Sequence, residues 1–140
     1  MTHSLPIPKE LTALIDGGFW PRDHDQARAQ NLQSLIPEAS VRQFAPEEHK
    51  VFLLPPPFYI VSQFLKGPEE KFWADSRTAL HEIDSDLTLL VGDFGLGSDA
   101  PIALDYRQRI EEPRVIRLRW AKDGNHWVEI TPTFAALPRI

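Results

Sequence analysis

The chain has 140 residues, 42% of them apolar and 25% charged, with no cysteine and a formal charge of −5. That is ordinary globular composition, long enough to bury one core, and it excludes disulfides and thiolate metal sites. No apolar run approaches the ~18 residues of a membrane span, and "MTHSLPIPKE" lacks the basic-then-apolar order of a secretory signal. The expectation is a single cytoplasmic domain over residues 1–140, with 1–7 as a flexible lead-in.

"PKELTALIDGG" predicts a first helix, with Pro8 in its opening turn, an apolar stripe at Leu11, Leu14 and Ile15, and Gly17 or Gly18 to end it. "DHDQARAQNLQSLI" predicts a second, capped by Asp23 or Asp25, with Ala29, Leu32, Leu35 and Ile36 inward and Pro37 as the stop. Val51–Leu54 reads as a short strand, broken by Pro55, Pro56 and Pro57. Apolar residues on both sides make that triplet a rigid connector rather than a polyproline ligand. A helix is expected from Phe58 to Leu65 and another at "PEEKFW". "LTLLVGDF", "PIALDYR", "VIRLRWA" and "HWVEIT" are β-rich runs forming two hairpins, and "TPTFAAL" allows one closing helical turn. The fold class is therefore α+β, a largely antiparallel twisted sheet with the helices packed on one face. At "KDGN" a three-residue turn pairing Trp120 with Val128, Leu118 with Ile130 and Arg119 with Glu129 satisfies both faces, which places Ile116, Leu118, Trp120, Val128 and Ile130 in the core.

Charge is unevenly spread. Residues 75–105 carry seven acids, Asp75, Glu82, Asp84, Asp86, Asp93, Asp99 and Asp105, against Arg77 alone. An acidic middle argues against direct nucleic-acid binding, which needs cations to displace counterions from phosphate. It suits a basic protein partner, or simply a solvated face.

The stretch "VGDFGLGSDAPIALDYR" looks most like an active site and fails each test. Gly95 and Gly97 lack the third glycine and following helix of a dinucleotide loop, and no Lys-Ser/Thr pair follows as a phosphate loop requires. Asp93-Phe94-Gly95 has no kinase catalytic loop to accompany it. His3, His24, His49, His81 and His126 show no ligand spacing, and Asp93, Asp99 and Asp105 match no calcium loop. Ser98 is not in a nucleophile elbow. Nothing reads as an enzyme: no catalytic residue, cofactor or metal is expected. The glycines are read as turn formers with positive φ, and Asp93 as a cap on the loop's own amides. Trp20, Trp73, Trp120 and Trp127 are the aromatic anchors available for binding. Trp127 falls on the arginine-bearing face, where Arg117, Arg119, Trp127 and Glu129 make an amphipathic patch if no helix covers them.

The order of these segments resembles the SUKH superfamily, which includes the fungal cell-wall assembly regulators of the Smi/Knr type and many bacterial proteins. The likeness rests on the turn Gly92, Asp93, Gly95 and Gly97, on "PRVIRLRW" and "HWVEITPTF" after it, on "PIPKELTALI" at the start and on "TPTFAAL" as the closing Ser/Thr-x-x-Phe turn. Pro138 shortens that last helix, and "FWPRDHDQARAQNLQSLIP" is less generic, which points to a particular subfamily. The resemblance implies an α+β domain without catalytic residues, and among bacterial members an immunity protein that neutralises a cognate toxin, often a nuclease. The candidate partner surface, read from the charge distribution and the hairpin register, is Asp75, Glu82, Asp84, Asp86 and Asp99 with Arg117, Arg119 and Trp127. A general regulatory adaptor, and a small-ligand or nucleotide binder using the glycine loop, are the alternatives. Neither nucleic acid nor membrane is an expected partner, and the sequence leaves the oligomeric state open.

Overall fold

The computed structural model describes residues 5–29, 42, 51–65, 73, 78–94, 101–119 and 122–136. The expectations for Leu32, Leu35, Ile36, Asp75, Gly95, Gly97, Asp99 and Trp120 lie outside the described residues, as does most of the "PEEKFW" helix.

Every strand pairing is antiparallel. β3 (Thr88–Phe94), β4 (Pro101–Asp105), β5 (Arg114–Arg119) and β6 (His126–Thr131) lie side by side in chain order. The other edge of β3 is shared by β1 (Val51–Leu53) and β2 (Tyr59–Ile60). Leu53 pairs with Gly92 and Tyr59 with Leu90, so residues 54–58 stand against Val91 alone. Pro55, Pro56 and Pro57 fill that excursion, with a cis bond between Pro56 and Pro57. Proline has no N–H to offer a ladder, so a sheet edge is the place that tolerates it. The expected helix from Phe58 is corrected here. Tyr59 and Ile60 join the sheet, and only α3 (Val61–Phe64) is helical, opened by the Ile60 N–H donating to Gln63 Oε1 at 2.9 Å.

Helical elements cover both faces of the sheet rather than one. The reason is visible in the strands. Leu89, Leu90 and Val91, Ile102, Ala103 and Leu104, and Val115 and Ile116 are unbroken apolar runs, the signature of strands buried on both sides. On the first face Leu89, Val91, Ile102, Leu104 and Val115 pack with Leu11, Trp20, Phe58, Tyr106 and Phe134. On the second, Leu90, Ala103 and Ile116 pack with Val61, Trp73 and Ile83.

α1 (Lys9–Asp16) follows Pro8, which takes the N-cap with extended ψ, one position earlier than expected. Leu11 is fully buried, and Leu14 and Ile15 pack beside it. Gly18, at φ +82°, turns the chain so that the Phe19 and Trp20 amides both reach the Leu14 carbonyl. α2 (His24–Ala29) is capped by Asp23, whose Oδ1 accepts the Gln26 N–H at 2.9 Å. The closing 3-10 turn, Phe134–Ala136, drops Phe134 into the first-face core.

Two further expectations are overturned. Leu118 pairs with Trp127 and Arg119 with His126, and an extra residue, Ile130, bulges from β6 between the pairs Ile116–Glu129 and Val115–Thr131. This differs by three positions from the expected register, and an odd shift exchanges the faces of a strand. Trp127 thereby joins the second-face core, while Val128 moves beside Arg117. Gly92 is the other correction. It lies inside β3, paired with Leu53 and Ile102 at a bulge where Val91 is the extra residue. The positive-φ glycines among the described residues are Gly18 and Gly124 instead.

Candidate protein-interaction surface

The acidic segment is anchored before it is exposed. Ala79, in the left-handed conformation at φ 51°, leads into a 3-10 turn over Leu80–Glu82, and Ile83 then enters the second-face core. Asp84 and Asp86 follow on the surface. Asp84 Oδ1 accepts the Asp86 amide at 3.0 Å, and the Asp84 carbonyl accepts the Leu87 amide and the Thr88 hydroxyl. Asp86 accepts a hydrogen bond from the Ser62 hydroxyl, and the Ser62 amide donates to the Ser85 carbonyl. An aspartate that bonds the backbone two residues on fixes a turn. The two exposed carboxylates are thus presented by a braced loop.

Glu82 behaves differently. Its Oε2 lies 2.7 Å from His126 Nδ1, and its Oε1 accepts the Trp127 backbone N–H at 2.7 Å. Burial works to raise the Glu82 carboxyl, but the hydrogen bonds from His126 and the Trp127 amide, with the nearby His126 and His81 charges, outweigh it and leave it below the usual glutamate value. The hydrogen bond to Glu82, and then its charge, raise His126 above the ordinary histidine value.

The surface residues expected from β5 and β6 are dispersed by the register. Arg117 is only 3% exposed, on the first face with Ile102 and Val128 as its cross-strand neighbours. Arg119 is exposed. Trp127 is half-buried, stacked on Trp73 with centroids 6.4 Å apart and planes 10° off parallel, and its Nε1 donates to the Thr78 carbonyl at 2.8 Å. It packs inward rather than joining the two arginines in a patch. Asp93 is half-buried in β3 between Phe52 and Pro101.

Asp105, weighed from sequence only as one of three loop carboxylates, is the ion centre that sequence reasoning missed. It is 1% exposed and accepts from Arg107 Nε at 3.0 Å, Arg107 Nη2 at 3.0 Å, the Arg107 amide at 3.1 Å and Arg114 Nε at 2.7 Å. Burial alone would raise its carboxyl; the bonds from Arg107 and Arg114 prevail and hold it below the usual aspartate value. Arg114 also reaches Glu129 at 3.7 Å. A carboxylate saturated by two guanidinium groups has little capacity left for a cation. Among the described residues no group of three or more His, Asp or Glu is placed to hold a metal ion. No helix among them is long and apolar enough to cross a membrane.

No family model matches the chain, and no curated protein and no solved structure matches it either.

Proposed function

We propose that this protein is a non-enzymatic binding domain, an immunity protein whose acidic loop docks on the basic site of a cognate toxin, in keeping with its resemblance to the SUKH superfamily. The observation that carries the reading is the braced display of Asp84 and Asp86. Both lie in the segment with seven acids and one base, and both are exposed on a loop held by the chain's own amides and by Ser62. A partner meeting a preformed loop has little ordering entropy to overcome. Opposite charge on a nucleic-acid-binding site then speeds the encounter in a salt-dependent way. The antiparallel sheet, with a helix before it and a closing turn after it, is compatible with the α+β class that the resemblance implies.

The test uses the toxin gene expected next to this one. Co-expression of the chain should restore growth of cells making the toxin domain. Asp84→Asn with Asp86→Asn keeps an acceptor oxygen at both turn bonds and removes both charges. It should weaken toxin affinity about tenfold at low salt, roughly 1.4 kcal/mol, with a smaller difference at high salt. A neighbouring gene without a toxin, or unchanged affinity at low salt, overturns the reading and leaves the regulatory adaptor.

A further inference from the structure

We propose that Glu82 and His126 form a pH-responsive strap that fastens the Leu80–Glu82 turn and the Trp73–Trp127 stack to the start of β6. The argument begins at the sheet edge. β6 is the last strand of the sheet, and the Trp127 N–H donates to a side chain, Glu82 Oε1, instead of to another strand. The other oxygen of the same carboxylate holds the imidazole of the preceding residue. One side chain thus grips two consecutive residues of an edge strand from 44 positions away in sequence.

The contacts close into a ring. Trp127 Nε1 donates to the Thr78 carbonyl, the Thr78 hydroxyl donates to the Trp73 carbonyl at 3.1 Å, and Trp73 stacks on Trp127. Glu82 supplies the segment that links back to β6. Within this ring the titratable members are Glu82 and His126, and His126 is 57% exposed, so solvent protons reach it directly. Among the described residues the charged and titratable groups around the pair are few. Asp123, in the β5–β6 connection, favours the cation through its charge; Arg119 stands opposite His126 on β5; His81 adjoins Glu82 on its own turn.

The direction of the response follows. The His126 contribution is present below the ordinary histidine value of 6.5 and fades as pH rises through the higher value of the folded state. The Glu82 contribution is present above the ordinary value of 4.5 and fades as pH falls through the lower folded value. Between the ordinary values of 4.5 and 6.5 both contributions are present. On the alkaline side a neutral imidazole loosens it, and on the acid side protonation of Glu82 removes its hold on the Trp127 amide.

The proposal stands apart from the toxin reading and is tested on the full chain alone. In a ¹⁵N-labelled sample titrated from pH 2.5 to 9, the backbone and indole N–H signals of Trp127 should shift with the His126 midpoint. In Glu82→Gln that midpoint should move to lower pH, and the Trp127 signals should lose their alkaline transition. His126→Gln, which leaves the Glu82–Trp127 bond in place, should abolish the alkaline transition and keep the acid one. Trp127 signals that stay flat while His126 titrates in the unaltered protein overturn the proposal, as does an unchanged His126 midpoint in Glu82→Gln. A purely packing role would lower stability equally at all pH values and leave both midpoints where they were.

Discussion

The two faces of the sheet are closed by different physics. The first is sealed by the beginning and end of the described chain, Leu11, Trp20 and Phe134. It is tied by polar atoms that stay neutral at any working pH, with the Tyr106 hydroxyl donating to the Pro6 carbonyl at 2.7 Å and Trp20 Nε1 to the Leu54 carbonyl at 2.8 Å. Burial pushes the Tyr106 phenol well above its usual value, so it remains a donor. The second face is sealed by Val61, Trp73 and Ile83, and its rim is ionic. Across it run Thr88, Asp105 and Arg114 on three neighbouring strands, then Glu129, with the Glu82–His126 pair at the opposite end of β6 from Thr131. A sheet covered on both sides therefore has one side whose cohesion ignores pH and one whose cohesion is tied to it.

The largest expected effect sits on the neutral side. Leu104 is fully buried there, and Leu104→Ala removes a core side chain whose neighbours collapse only in part. The loss should be about 3 kcal/mol. Urea unfolding at pH 4, 6 and 8 should return the same difference from the unaltered protein each time; a difference that varies with pH would break the contrast.

Asp105→Asn is the corresponding blow to the ionic side. It leaves Arg107 and Arg114, each a quarter to a third exposed, facing a neutral amide. Removal of one partner from a wholly buried pair costs ~3–5 kcal/mol, and the partial hydration of both arginines lowers that to about 2. The sign of the pH dependence is fixed by the lowered Asp105 value. The carboxylate's contribution is complete above the ordinary 3.8 and disappears as pH falls through the folded value. Unfolding curves for the two proteins should therefore differ by a constant amount near neutrality and converge in acid. Curves that stay parallel down to the acid transition would show that charge is not what Asp105 contributes.

This division was only half legible in the sequence. The four C-terminal strands announce themselves as apolar β-formers punctuated by Pro101, Pro113 and the Asp123-Gly124 turn. α1 is legible for the same local reason, Pro8 before it and Gly18 after it. What escaped depends on one-residue events in the ladder. The bulge at Val91 keeps Gly92 inside β3, where a run of glycines suggested a turn. The bulge at Ile130 turns Trp127 inward, and Arg117, opposite Ile102, is buried because the first face is covered. Alternation alone cannot see a bulge, because an inserted residue resets the period without changing composition. Of the candidate surface, Asp84 and Asp86 lie exposed where charge density suggested, while Glu82 turns to a histidine no local pattern pairs it with. Asp105 and Arg107 are two apart and Arg114 lies opposite Asp105 across the β4–β5 hairpin, a signal that could have been read had that register been worked out first.

The smallest effect sharpens the comparison most. Tyr106→Phe deletes the hydroxyl that holds Pro6, and with it the bond by which Leu5 and Ile7 are drawn against the first face. The ring still fills its site, so the cost is one hydrogen bond and one carbonyl left short of a partner, about 1 kcal/mol. Because the phenol does not ionise in the working range, that cost should be the same at pH 5 and pH 8. Glu82→Gln should cost more at pH 5, where both contributions are present, than on the alkaline side of the His126 transition. The two substitutions touch opposite faces and share no partner, so the double variant should lose the sum of the single losses at each pH. A sum that fails by more than ~0.5 kcal/mol would mean that the faces are coupled through the strands between them. The neutral and ionic sides would then be one cooperative unit rather than two.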